Sequence, residues 1–208
     1  ITNSNDLPDE LQRDVVVTAI QMTKEENDYG ALIAIQQMAM KLPRLMIPYQ
    51  DEILEVLMEK LNMPFITQEK MLLLRDNCVI ALAAFVKRPF YDFKEIDFEK
   101  CAPIILKALP IAKDFQEYNK MDFVLKLFTE MYDSCKDSYP DLFLRVLVVT
   151  FANPKPVLDE MKFSKLQLLK NLHELMEKIP NATDLCVQFL NNDPSKLANL
   201  EDILNNGY

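Results

Sequence analysis

The chain is predicted to be all-α, a solenoid of about five antiparallel helix pairs forming one superhelical array over residues 1–208. Three observations predict it. Apolar residues recur at spacings of three and four. Only 2 of 208 residues are glycine, which strips the chain of the residue that hairpins, strand bulges and phosphate-cradling loops draw on. Pairs of apolar-periodic segments also come back at a regular interval.

Each element follows from its own stretch. "LQRDVVVTAIQM" (11–22) and "YGALIAIQQMAMKL" (29–42) predict the first two helices, and "IPYQDEILEVLMEKL" (47–61), with Pro48 in its first turn, the third. "QEKMLLLRDNCVIALAAFV" (68–86) predicts the fourth, stopped by Arg88-Pro89 and followed by an aromatic linker, "FYDFKEIDF" (90–98). Beyond it come "EKCAPIILKAL" (99–109), "KDFQEYNKMDFVLKLFTEMYDS" (113–134), "PDLFLRVLVVTF" (140–151) and "FSKLQLLKNLHELMEKI" (163–179). The last two are "TDLCVQFL" (183–190) and "PSKLANLEDILN" (194–205), the latter with Asp193 or Ser195 as its N-terminal cap. Proline and asparagine punctuate nearly every junction, where glycine is missing.

"NCVIALAAFV", "DFVLKLFTEM" and "LQLLKNLHEL" start at 77, 122 and 166, offsets of 45 and 44 residues. The segments before them start at 51, 98 and 139, offsets of 47 and 41. That is HEAT or armadillo spacing, with approximate pairs at 9–42, 47–87, 98–134, 139–179 and 182–206. A lone pair cannot bury its apolar face, so neighbours stack and the second helix of each pair becomes apolar over most of its circumference. "LLLRDNCVIALAAFV" (72–86) fits such a helix. On a 100° wheel Leu74, Cys78, Ala81 and Phe85 form its inward stripe, while Asp76, Ala83 and Lys87 are expected on an exposed strip. Arg75 and Asn77 fall at the borders with adjacent helices, Arg75 as a structural residue.

The net charge of −9 argues against nucleic-acid binding and suits a basic protein partner or simple solubility. Cys78, Cys101, Cys135 and Cys186 lie far apart in apolar periodic segments and read as reduced buried thiols. Neither a signal peptide nor a membrane-spanning run is expected, and the opening "ITNSNDLPDE" reads as the boundary of a fragment. Asn181 begins a glycosylation sequon, without any other mark of secretion. No enzyme is expected, and no cofactor or metal. The single histidine, His173, has no nucleophile motif near it. Glu25-Glu26 and Asp51-Glu52 have the spacing of solvated helix ends. Methionines 38, 40, 46, 58, 63 and 71 read as core filling at helical spacing. Asn77, Asn119 and Asn171 all sit in second helices, where amides can hold a peptide backbone, but their spacings of 42 and 52 are too uneven for a ladder in register.

"RDNCVIALAAFV", followed after a linker by "CAPIILKALPIAKDFQEYNKMDFVLKLFTEMY", resembles the C-terminal HEAT repeats of the importin-β (karyopherin-β) superfamily, in particular the branch that imports ribosomal proteins and histones. The matching residues are Asp76-Asn77, Leu109-Pro110, Lys113-Asp114 and Glu117, within 75–134. The long aromatic insertion "KRPFYDFKEIDF" departs from that pattern, as does the lack of the N-terminal half with which such carriers engage the GTPase Ran. The resemblance implies a C-terminal fragment of a nuclear transport receptor, found in cytoplasm and nucleus, that binds basic protein cargo on an acidic concave surface of second helices. Ran and nucleoporins would be partners of the full-length parent. Glu69, Asp76, Asn77, Asp114, Glu117 and Tyr118 are then the candidate contacts. The competing expectation is a HEAT-repeat scaffold of a phosphatase or translation-initiation complex. In either case, self-association through residues 7–42 is expected, where an uncapped repeat exposes apolar surface.

Overall fold

The computed structural model describes residues 8–26, 28–64, 69–86, 92–111, 118–153 and 162–206. Among these the secondary structure is entirely helical: α1 Asp9–Glu26, α2 Tyr29–Lys41, α3 Gln50–Leu61, α4 Glu69–Ala83, α5 Phe98–Ala108, α6 Tyr118–Cys135, α7 Pro140–Ala152, α8 Lys162–Lys178, α9 Ala182–Phe189 and α10 Pro194–Asn206. These are the ten segments that the apolar period marks out. A helical turn at Pro43–Met46 and a 3₁₀ turn at Ile47–Tyr49 precede α3, so the third helix starts three residues later than expected. The residues expected to open α6, 113–117, lie outside the described ones.

Two compact units result. The described part of the first comprises residues up to Asp97, Ile111 and Asp122–Leu127; that of the second comprises Phe98–Pro110, 118–121 and 128–206.

In the first unit α1 packs on α2 and α3 on α4, while α1 also meets α3 and α2 also meets α4. Asp28 starts α2 by accepting a hydrogen bond from Gly30 N–H (2.8 Å). The C-terminal end of α1 is closed differently. Lys60 is buried, and its ammonium donates to the carbonyl of Lys24 (2.9 Å), one of the last-turn carbonyls without a partner in its own helix. Helix α4 ends at Ala83, where the chain tightens to i→i−3 bonds, Phe85 N–H to Leu82 and Val86 N–H to Ala83. Phe85 thereby reaches the ring of Phe93 in the linker, centroids 5.0 Å apart.

In the second unit α7 is the central helix, packed against α5, α8, α9 and α10. Its Phe143 meets Phe128 and Tyr132 of α6 edge-on, centroids 5.5 and 5.3 Å apart, the geometry aromatic quadrupoles favour. Helix α5 contains Pro103, which has no N–H to give to the carbonyl of Glu99 one turn earlier. The hydroxyl of Tyr139 donates there instead (2.7 Å). Arg145 closes the other end of α5, donating to the carbonyls of Leu106 and of Leu109 (2.8 Å to the latter). Of the two caps expected for α10, Asp193 supplies it, accepting from Ser195 and Lys196 N–H groups (3.0 and 3.3 Å).

Candidate partner-binding surface

The polar triplet of α4 lies among its apolar residues rather than beside them. Leu74, Cys78, Ala81 and Phe85 are buried as the wheel predicts. So are Asp76, at 1 % exposure, and Ala83, both expected on the exposed strip; Lys87 lies outside the described residues. The correction has a packing cause. Helix α4 is covered by α2 on one side and α3 on another, and from position 76 onward no solvated face is left. Arg75 is adjacent, its guanidinium 3.7 Å from the Asp76 carboxylate. Burial pulls the Arg75 pKa down, and the Asp76 charge opposes that shift. Asn77 is also buried, and its amide turns back to donate to Leu73 O (2.9 Å).

Of the other expected contacts only Glu69 has a described side chain, and it is not brought to Asp76 and Asn77. Glu69 is exposed at the first residue of α4, two turns away. Asp114 and Glu117 lie outside the described residues, and Tyr118 is the first residue of α6, with no described side chain. Two of the three asparagines weighed as a peptide-binding row, Asn77 and Asn171, have buried side chains. Asn171 is buried, accepting from Gln167 Nε2 (2.8 Å), and the Asn119 side chain is not described.

In the first unit the acidic surface lies mainly on first helices. In the first unit Asp9, Glu10, Asp14 and Glu25 are exposed on α1, and Asp51, Glu52, Glu55 and Glu59 on α3. Helix α2 carries no acidic residue, and the only exposed one on α4 is Glu69, so in the first unit the second helices do not present an acidic surface. In this unit α4 is hemmed in by its neighbours, so the first helices keep the free perimeter where charges stay solvated. The α3 carboxylates recur at three and four, on one side of the helix. Lys24 answers Glu52 (2.6 Å) and Lys94 answers Asp51, whereas Glu55 and Glu59 make no ion pair among the described residues.

One feature of α3 has no sequence signal. Gln50, fully buried in its first turn, holds both backbone groups of Lys94: its Nε2 donates to Lys94 O (2.8 Å) and its Oε1 accepts from Lys94 N–H (2.7 Å).

In the second unit, charged side chains join the turn after α6 to α8. Lys136 pairs with Glu174 (2.6 Å) and lies over the Tyr132 ring, 5.0 Å from its centroid; Lys178 pairs with Asp137. The hydrogen bond from Lys136 holds the Glu174 carboxyl below its ordinary range. Burial first, then Glu174, pushes the Tyr132 phenol up. His173 is exposed on α8. All four cysteines are free, three buried and Cys101 half-buried, and burial raises Cys78 to about 12. Among the described residues no group of three or more His, Cys, Asp or Glu is placed to hold a metal ion, and no helix is long and apolar enough to cross a membrane.

Comparison of the chain with protein-family models, with curated proteins and with solved structures finds no match.

Proposed function

We propose that the chain is a stretch of HEAT-repeat solenoid that binds basic protein partners through the acidic face of α3, and that its parent is a nuclear transport receptor of importin-β type. In that role the parent carries basic cargo through nuclear pores under Ran-GTP control. The observation that carries the binding reading is the stacking in the first unit: α1 lies on α3 and α2 on α4, like helix on like, as solenoid pairs stack. Such stacking turns one perimeter of every first helix to solvent, and on α3 that perimeter bears Asp51, Glu52, Glu55 and Glu59. The transport role comes from the sequence resemblance at 75–134.

A Lys/Arg-rich protein such as a histone should bind this chain with an affinity that falls steeply as salt rises. Reversing Glu55 and Glu59 (E55K/E59K) should lower the affinity about tenfold or more, chiefly through the on-rate, read by surface plasmon resonance. Binding that is absent, or indifferent to both salt and these substitutions, overturns the binding reading. Cargo held by the full-length parent and not released by Ran-GTP overturns the transport role.

A further inference from the structure

We propose that the cleft between Gln50 and Phe85 is a receptor for an extended peptide bearing an aromatic residue followed by Lys or Arg, and that Phe93-Lys94 of the chain itself fill it as a tethered ligand. The contacts are those of a docked peptide. Residues 92–97 are non-helical and carry one fully buried side chain, Phe93, set against Phe85. Around it Asp92, Lys94, Glu95 and Asp97 are exposed and Ile96 is half-buried. Gln50 takes the N–H and the C=O of a single residue, as a neighbouring strand would, so it selects extended backbone and is indifferent to the side chain. Side-chain choice draws on the ring of Phe85 for an aromatic group and the exposed carboxylate of Asp51 for the cation that follows.

Within 92–97, Lys94 is the one basic side chain offered to the acidic helix that holds the strap. Asp92, Glu95 and Asp97 make half of the strap acidic, and the helix that holds it exposes Asp51, Glu52, Glu55 and Glu59. A segment from another protein with the same Phe-Lys core and basic flanks adds attraction to the exposed carboxylates of α3. Against this stands the tether, which keeps the strap at a high effective concentration. The site therefore opens to basic segments and stays shut to neutral or acidic ones. The preference for basic flanks shares the α3 acidic face with the proposed function, whereas the backbone clamp and the aromatic contact do not, and the experiment separates the two.

The probes are two synthetic peptides, acetyl-DFKEID-amide (residues 92–97) and acetyl-RFKRIR-amide. They are titrated by calorimetry into the full chain with its anchors removed (F93A/K94A). Both should bind saturably at one site, the basic peptide about tenfold or more tighter at low salt. Adding Gln50→Ala should weaken both about tenfold, through the two lost hydrogen bonds. E55K/E59K should leave acetyl-DFKEID-amide binding in place, which separates this site from the α3 acidic face. No saturable binding up to millimolar peptide, or binding unmoved by Gln50→Ala, overturns the proposal. If F93A/K94A does not fold, amide exchange on the unaltered chain decides. Excess basic peptide should strip the Lys94 N–H of its protection, and unchanged protection under saturating peptide overturns the proposal.

Discussion

Helices α1 and α4 belong to the same unit and invert the usual rule about which residues face water. Helix α1 leaves Leu11, Val15 and Val17 at 46, 41 and 51 % exposure, and Tyr29 at the start of α2 is 45 % exposed. Helix α4 buries Asp76 and Asn77. Both read as helices with apolar residues at helical spacing, so the difference does not come from their own composition. It comes from their neighbours. Helix α4 is enclosed by α2 and α3, while α1 is covered by α2, α3 and the Pro43–Met46 turn on one side only. Of the five large apolar side chains exposed among the described residues, four fall in 11–29.

The sharpest way to break this comparison is one kind of truncation in both helices. Leu82→Ala in α4 removes a fully buried side chain and should cost about 2–5 kcal/mol, read by urea denaturation. Leu11→Ala in α1 should stay within about 0.5 kcal/mol of the unaltered chain. Equal costs would mean that α1 is as enclosed as α4.

Next in size is Asp76→Ala, which leaves Arg75 half-buried without its carboxylate. A fully buried pair broken this way loses roughly 3–5 kcal/mol; the partial exposure of Arg75 brings the expectation to about 2–3 kcal/mol. A loss under about 0.5 kcal/mol in the same denaturation assay would return Asp76 to the surface.

The Cys78 thiol tests enclosure without a substitution. With its pKa raised to about 12 by burial, it should stay inert to a thiol reagent at pH 8 until the chain unfolds, whereas the half-buried Cys101 reacts in the native protein. A mass-spectrometric count of modified sites with and without denaturant reads this directly. The smallest effect on stability, and the one that bears on α1, comes from Leu11→Ser with Val15→Ser. Unfolding should barely change, while concentration-dependent association in sedimentation velocity should fall. A strict monomer at high concentration before substitution would remove the apolar face of α1 as a contact surface.

How far the sequence could be read differs from element to element. The ten helices and their order follow from apolar spacing and from proline and asparagine at the junctions, because helix formation answers to residues three and four apart. The inward stripe of α4 is legible for the same reason. Asp76 was misplaced because a wheel assumes one covered side, and α4 has cover on more than one. Gln50 and Tyr139 were invisible for another reason: each satisfies backbone groups 44 and 40 residues away, and no local pattern announces such a bond. Tyr139 in particular makes Pro103 tolerable inside α5, a repair that depends on where the start of α7 is brought.

By itself, then, the sequence determined the all-helical character, the helix boundaries to within a few residues, and the acidic balance, all set by composition and short-range spacing. Only the tertiary structure decided that the exposed acids of the first unit lie mainly on first helices, that Asp76 is inside, and that Gln50 grips the linker at Lys94. Burial and hydrogen-bond partnership depend on which distant segments close over a residue, and that closure is a property of packing rather than of any one helix.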